Sequence, residues 1–207
     1  QALNLLEMQA QALAGMGSAY RESGQYGLAL DPYQQALVLV HQTGDRVLEF
    51  EIYSGIGRTY RDLGKYEEAL IAYHSALTVA QALDDLGLQA IAFSNMGEVQ
   101  RLTKHYDEAL KSYAESLRLA RANLARLALR TPTCGTIEEF TLEGRVLADT
   151  GRVYRDQEQY DQALDLYGQA LAVGERLDNQ ELQGDTLNQI GRTYLLKRQF
   201  PQALENY

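Results

Sequence analysis

The chain has 207 residues, of which 45% are hydrophobic and 23% are charged, a balance typical of a folded protein rather than a disordered one. Its formal net charge of −9 argues against a nucleic-acid-binding module, which normally presents a basic face. No stretch approaches the length of about 18 consecutive apolar residues that a membrane-spanning helix needs, so we expect no membrane partner.

The chain begins with QALNLLEMQA, which has no basic segment before an apolar core and therefore shows no export signal. Its single cysteine, Cys134, rules out an internal disulfide and fits a reducing compartment. These features predict a cytoplasmic location. The absence of an initial methionine and a last helix that stops halfway predict a piece of a longer protein.

A repeated segment organises the whole sequence. One copy, SGIGRTYRDLGKYEEALIAYHSAL, covers residues 54–77, and equivalent segments begin at Ala14, Ser94, Ala148 and Asn188. A glycine holds the same place in every copy, at Gly17, Gly57, Gly97, Gly151 and Gly191. These marker glycines are 40, 40, 54 and 40 residues apart, so the chain is built from repeats.

Each copy predicts two helices joined by a tight turn. In the second copy Tyr53, Ile56 and Tyr60 share one stripe with the marker glycine at helical spacing. Gly64 follows, at a turn that favours a left-handed residue, and a second apolar stripe covers residues 66–77. Thirteen of the fourteen tyrosines fall in three columns of the alignment, which predicts that they fill equivalent gaps in the core.

Gly57, Gly64 and Lys65 could also be interpreted as a phosphate-binding loop. That loop needs four residues between its glycines and a Ser or Thr after the lysine. Here six residues separate Gly57 from Gly64, and Tyr66 follows Lys65. We therefore reject the phosphate site and interpret this stretch as the turn between two helices.

The repeat resembles the tetratricopeptide family. Its pattern is matched in the second copy at Tyr53, Ile56, Gly57, Tyr60, Gly64, Tyr66, Ala69, Tyr73 and Ala76. The period is 40 residues instead of about 34, and no proline closes the second helix. This long form resembles the repeats of Pins-type adaptors, kinesin light chains and many bacterial regulatory proteins. The resemblance implies an all-α, right-handed superhelical solenoid of antiparallel helix pairs that acts as a protein-interaction scaffold.

We predict one array along residues 1–207, interrupted by a single insertion. The predicted boundaries are about 3–43, 46–83, 86–130, 137–177 and 180–207 for repeats one to five, the fifth being truncated. The insertion at about 131–136 contains TPTCGT and places Cys134 on an exposed tip. A lone loop cysteine with no basic neighbour or second cysteine is not activated for redox chemistry.

Sequence features of an enzyme are missing. His41, His74 and His105 lie in different repeat columns and form no ligand spacing such as HExxH. Paired acids such as Glu67 and Glu68 open helices, where the helix dipole favours negative charge. We predict no catalytic residue, no cofactor and no metal site.

Arginines are placed regularly on the first helix of each repeat. One residue after the marker glycine the copies have Ser18, Arg58, Glu98, Arg152 and Arg192. Four residues after it they have Arg21, Arg61, Arg101, Arg155 and Leu195. A column of mostly small residues, which includes Ser54, Ser94 and Asn188, shares this helix face. In the family that this chain resembles, the same face lines a concave groove that binds peptides.

Two interpretations of the arginines stay open. In the first, Arg58 and Arg152 form i,i+4 pairs with Asp62 and Asp156, worth only tenths of a kcal/mol. In the second, guanidinium groups clamp the carboxylates of an acidic peptide, although Glu98 counts against a purely basic groove. The predicted contacts are Arg21, Arg58, Arg61, Arg101, Arg152, Arg155, Arg192, Ser54, Ser94 and Asn188.

The predicted function is therefore a scaffold or adaptor that binds an acidic peptide segment of a protein partner. An alternative is a regulatory or self-assembly region of a larger enzyme or signalling protein. In that case the unfinished last helix matters more than the groove, because an exposed apolar end allows one array to stack on another.

Overall fold

A computed structural model describes residues 2–130 and 137–206, so the insertion predicted at 131–136, with Cys134, lies outside the described residues. Within them the chain forms α-helices and no strand, which confirms the all-α prediction. The helices are α1 (Ala2–Glu22), α2 (Tyr26–Thr43), α3 (Arg46–Asp62), α4 (Tyr66–Ala82), α5 (Leu86–Leu102), α6 (Tyr106–Arg130), α7 (Ile137–Asp156), α8 (Tyr160–Arg176), α9 (Gln180–Leu196) and α10 (Phe200–Glu205).

The first helices of three repeats begin at a side-chain cap. Asp45, Asp85 and Asn179 precede α3, α5 and α9, and each side-chain oxygen accepts a hydrogen bond at 2.9–3.0 Å from the backbone N–H three residues later. A helix leaves its first four N–H groups without a partner inside the helix. The acidic or amide residue at each start therefore satisfies one of them and fixes where the helix begins.

The turn inside each repeat has one residue in the left-handed conformation. Gly64 has a φ of +73°, as the sequence predicts, and Gly24 has +76°. In the other three copies the same place is held by Lys104, Glu158 and Arg198, whose φ values are +63°, +62° and +59°. A side chain in this conformation is strained, so these three turns keep their shape because the packing of the two helices imposes it.

Glu158→Gly is expected to raise the free energy of unfolding by about 1 kcal/mol, since glycine adopts a positive φ without the strain of a Cβ. The Glu158 side chain is exposed and forms no hydrogen bond or ion pair with a described residue. Urea unfolding followed by circular dichroism measures the change. Gly64→Ala is the matched control and should lose about as much; equal effects of the two substitutions would contradict this explanation of the turn.

Contacts divide the chain into two compact units, Gln1–Val99 and Gln100–Tyr207, with the boundary inside α5. The core of the N-terminal unit lies between its successive helices, around Tyr33 and Ile52 and then around Tyr73 and Val99. In the C-terminal unit, buried side chains of α7, α8 and α9 pack together, with Tyr167 fully buried. Both units thus bury the face of each helix that carries the apolar stripe.

Marker glycines provide the space for a buried tyrosine of the following helix. A Cβ at Gly57 would lie 2.5 Å from Cε1 of Tyr73, and one at Gly151 would lie 2.7 Å from Cε1 of Tyr167. Gly17 faces Tyr33 in the same way, at 2.8 Å. This column of tyrosines is fully buried, as predicted: Tyr33, Tyr73, Tyr113 and Tyr167 are at most 2% exposed. The glycine of the repeat is therefore required by close approach of a ring, not by a ligand.

Candidate functional site

Asp62 joins the arginines of two successive repeats in the N-terminal unit. Nη1 of Arg21, at the end of α1, donates to Asp62 Oδ2 at 3.3 Å. Nε and Nη2 of Arg61 donate to Asp62 Oδ1 at 3.0 and 2.8 Å. The side chains of Arg21 and Asp62 are only 19% and 18% exposed. The carboxylate therefore fixes both guanidinium groups at one place beside the ends of α1 and α3.

Asp156 has the same role in the C-terminal unit. Arg101, at the end of α5, donates from Nη1 to the Asp156 carboxylate, and Arg155 donates from Nη2 to the same carboxylate at 3.1 Å. Nη1 of Arg155 also donates to the side-chain carbonyl of Gln189 on α9. Each unit thus holds two of the predicted arginines around one partly buried aspartate.

The residue that follows the marker glycine behaves differently from these pairs. Arg58 forms no ion pair with any described residue, so the predicted Arg58–Asp62 pair does not form, because Asp62 is bound to Arg21 and Arg61 instead. Arg152 donates to Asp149, one turn before it. Burial lowers the pKa of Arg61, but the hydrogen bond to Asp62, together with smaller effects that include the charge of Glu98, raises it overall. Acidic groups therefore partly offset the basic face in the N-terminal unit.

Two tyrosine hydroxyls lie buried next to these arginines. Among the described residues, neither Tyr73 OH nor Tyr167 OH has a hydrogen-bond partner, and the same holds for Nε of Arg58. Burial raises the pKa of Tyr73 and of Tyr167 to about 12, and the charges of the nearby arginines only partly oppose this. Both hydroxyls therefore remain neutral donors at physiological pH.

Other predicted contacts are scattered rather than gathered in these clusters. Ser54 is 5% exposed and its hydroxyl is buried inside the N-terminal unit. Ser94 on α5 is half-buried, whereas Asn188 and Arg192 on α9 are exposed. The charges of Arg21, Arg58 and Arg61 all act on Tyr73 in one unit, and those of Arg101, Arg152 and Arg155 all act on Tyr167 in the other.

The sequence analysis did not predict that Asp62 and Asp156 would bind arginines of the preceding repeat. Asp62 lies 41 residues after Arg21, and Asp156 lies 55 residues after Arg101. The sequence does contain an indication of these bridges. Five residues after the marker glycine, directly after the column of Arg21, Arg61, Arg101 and Arg155, the copies have Glu22, Asp62, Leu102, Asp156 and Leu196. An acid in that column, one repeat after an arginine, marks each bridge.

Among residues 2–130 and 137–206, no group of three or more His, Cys, Asp or Glu side chains is placed to hold a metal ion. Over the same described ranges, no helix combines the length and the apolar character needed to cross a bilayer. The polar clusters around Asp62 and Asp156 are therefore the main candidates for function.

Comparison with known proteins identifies the repeat. A family model described as tetratricopeptide repeat matches residues 48–122 and 145–207, and a second model of the same description matches residues 12–47. No curated protein matches the sequence significantly.

Solved structures share the fold at low sequence identity. A Rap protein complexed with competence and sporulation factor has a TM-score of 0.79 and 16% identity over 99% of this chain and 55% of that one. The apo quorum sensor NprR from B. thuringiensis has a TM-score of 0.70 and 18% identity over 97% of this chain and 52% of its own. BtubC from P. vanneervenii has a TM-score of 0.70 and 16% identity over 99% of this chain and 86% of the BtubC chain.

The present chain spans about half the length of the Rap and NprR chains. The helix pairs, the glycine–tyrosine packing and the five copies in register agree with the family models, which together match most of the sequence. This chain belongs to the tetratricopeptide repeat family.

Proposed function

We propose that this chain is a protein-interaction module that captures an acidic peptide segment with the arginines of its first helices. The observation that carries the proposal is the repeated placement of guanidinium groups in a molecule with a net charge of −9. Each unit holds two of these groups on one bridging aspartate. Guanidinium groups bind carboxylates in a planar, two-pronged geometry.

The bridging aspartates favour binding because they hold the arginines in position. A long side chain loses conformational freedom when it binds a ligand, at about 0.5–1.5 kcal/mol for each one immobilised. Arg21, Arg61, Arg101 and Arg155 are already held by Asp62 or Asp156. An incoming carboxylate therefore meets groups that are largely ordered before it arrives.

Not every arginine is neutralised by its neighbours. Arg58 and Arg192 form no ion pair with any residue in the described ranges. Arg192 is exposed on α9, and Arg58 is half-buried on α3. These two supply positive charge that the chain itself does not use, so they are the best candidates for direct contact with an acidic partner.

The family and its structural relatives support a binding role. Tetratricopeptide repeats generally act as scaffolds without catalytic activity. One structure with the same fold is a Rap protein in complex with competence and sporulation factor, and another is described as a quorum sensor. The first of these relatives was solved with a binding partner, and the second is described as a sensor.

Binding to a library of acidic and neutral peptides, followed by fluorescence anisotropy, tests this function. Arg58→Gln/Arg192→Gln should weaken the binding of acidic peptides about tenfold, which corresponds to about 1.4 kcal/mol, and leave helicity unchanged. Arg118→Gln is the matched control, since Arg118 is an exposed arginine on a second helix. Equal affinities for all three proteins, or a preference for neutral peptides, would refute the proposal.

A second candidate function is a regulatory or self-assembly region of a larger protein. It is favoured by apolar side chains that α9 and α10 leave exposed, namely Leu195, Leu196, Phe200 and Leu204. The Rap and NprR chains, of which this chain covers 55% and 52%, also favour a role within a larger protein. A kinase, protease or nucleotide-cyclase domain elsewhere in the full-length protein would favour this function over peptide capture.

A further inference from the structure

A buried glutamate near the start of α3 binds the second helix of the preceding repeat. Oε1 of Glu49 lies 3.2 Å from Nε2 of His41, which is on α2. Oε2 of Glu49 accepts a hydrogen bond from Nη1 of Arg46 at 2.7 Å. The Glu49 side chain is only 7% exposed, and burial of an unpaired carboxylate is costly. The joint between the first two repeats, where α2 meets α3, therefore requires basic side chains at this place.

The same contact recurs at the joint between the third and fourth repeats. Glu143 on α7 accepts a hydrogen bond at 2.8 Å from Nε of Arg121 on α6, and Nη2 of Arg176 lies 4.0 Å from its other oxygen. His41 and Arg121 each lie 24 residues after the marker glycine of their repeat, and Glu49 and Glu143 each lie eight residues before the next one. The partners are 8 residues apart in the first case and 22 in the second. The contact is therefore kept although the chain between the partners differs in length.

The other two joints have glutamine where these glutamates lie. Nε2 of Gln89 on α5 donates to the backbone carbonyl of Ala80 at 3.5 Å, and Nε2 of Gln183 on α9 donates to that of Gly174 at 3.1 Å. An amide can donate to a carbonyl oxygen, whereas a carboxylate only accepts hydrogen bonds. A glutamate in either place would therefore bring its negative charge to an acceptor instead of a donor.

The end of the preceding second helix changes together with this residue. Where the first helix has glutamate, the column 24 residues after the preceding marker glycine has His41 or Arg121. Where the first helix has glutamine, the same column has Gln81 or Glu175, neither of which is basic. Acid and base thus occur together at two joints, which we call charged joints, and both are missing from these columns at the other two, which we call neutral joints.

The other end of the first helix shows the same division. Five residues after the marker glycine, the helices of the charged joints have Asp62 and Asp156, each of which binds an arginine of the preceding repeat. The helices of the neutral joints have Leu102 and Leu196 there. Glu49 and Asp62 are 13 residues apart, which is about 20 Å along a helix at about 1.5 Å per residue. A charged joint is therefore held by an acid at each end of the first helix.

We infer that the start of each first helix selects by charge the repeat that packs before it. A glutamate eight residues before the marker glycine accepts a repeat whose second helix presents histidine or arginine, because the buried acid is costly without that partner. A glutamine in the same place accepts a repeat without a basic residue there. This column therefore determines which repeats can be neighbours in the array. The inference does not depend on peptide capture, since the pairs at Glu49 and Glu143 do not involve the arginines proposed to contact a peptide.

The test transfers the charged pair to the neutral joint between the second and third repeats. Gln89→Glu should lower the thermal midpoint by about 4 °C, because it removes the donor to Ala80 and places a half-buried carboxylate beside a carbonyl oxygen. Gln81→Arg/Gln89→Glu should recover at least half of that loss, since the new arginine takes the place that His41 and Arg121 have at the charged joints. Gln81 is exposed, so Gln81→Arg alone should change the midpoint by no more than about 2 °C.

Thermal unfolding of the native chain and these three variants, followed by circular dichroism, forms a double-mutant cycle. The Gln81→Arg variant measures every contact of the new arginine that does not involve the new glutamate. If Gln89→Glu fails to fold, recovery of helicity in the double variant supports the inference equally. An unchanged midpoint for Gln89→Glu, or a double variant whose midpoint shift equals the sum of the two single shifts, would show that these columns do not select each other and would overturn the inference.

Discussion

Gly57→Ala is expected to lower the free energy of unfolding by about 2 kcal/mol. The added Cβ would lie 2.5, 2.6 and 2.9 Å from Cε1, Cδ1 and Cζ of Tyr73. The ring is fully buried, so it cannot move aside without displacing its neighbours. Overpacking of this kind costs about 1–3 kcal/mol or more, which outweighs the gain of about 1 kcal/mol that alanine has over glycine in a helix.

Gly15→Ala is the matched control for this substitution. Gly15 also lies inside a first helix of the N-terminal unit, but a Cβ there would meet nothing within 4 Å. The control should gain up to about 1 kcal/mol from helix propensity alone. Urea unfolding of both variants gives the comparison, and a loss of stability at Gly15 equal to that at Gly57 would show that ring packing is not the reason for the marker glycine.

Asp156→Asn is expected to lower the free energy of unfolding by about 2–3 kcal/mol. The carboxylate binds both Arg101 and Arg155 and its side chain is 23% exposed. Removing one partner of a buried ion pair costs about 3–5 kcal/mol, and partial access to solvent reduces that cost. Asparagine keeps the shape and one oxygen but leaves two close guanidinium groups without a shared counter-charge.

Asp161→Asn provides the comparison in the same unit. Asp161 is bound by Nζ of Lys197, but its side chain is 90% exposed, and exposed pairs contribute at most about 1 kcal/mol. Thermal and urea unfolding should therefore separate the two variants clearly. Similar small losses at Asp156 and Asp161 would mean that the arginines of the C-terminal unit are held by something other than the shared aspartate.

Much of the fold was predictable because the same pattern of apolar residues and glycines occurs in five copies of the repeat. The spacing around Tyr53, Ile56 and Tyr60 predicts one buried face, and five aligned copies remove the ambiguity of any single segment. Gly64 at the turn was predictable because a left-handed residue favours glycine. Lys104 and Glu158, which adopt the same conformation, could be recognised only through the alignment with Gly24 and Gly64.

The arrangement of the candidate site was less predictable. A helical wheel places Arg21 and Arg61 on one face, but it does not say which carboxylate each long side chain reaches. The i,i+4 spacing favours Arg58 as the partner of Asp62, whereas the packed helices bring Arg21 of the preceding repeat to it. Local spacing failed there because a bridge between repeats depends on how the helices pack.

The sequence did not predict either that the hydroxyls of Tyr73 and Tyr167 would be buried without a partner among the described residues. Tyr73 and Tyr167 read as core residues, and burial of the rings confirms that prediction. Among residues 2–130 and 137–206, neither hydroxyl has a hydrogen-bond partner, which no sequence pattern indicates.

The most direct test of the central claim is the affinity of the native chain for fluorescent hexaglutamate and hexaglutamine, measured by anisotropy from low to high salt. We predict binding of hexaglutamate alone, with an affinity that falls steadily as salt screens the arginines. Equal binding of both peptides, or an affinity for hexaglutamate that does not change with salt, would contradict recognition of an acidic partner by these arginines.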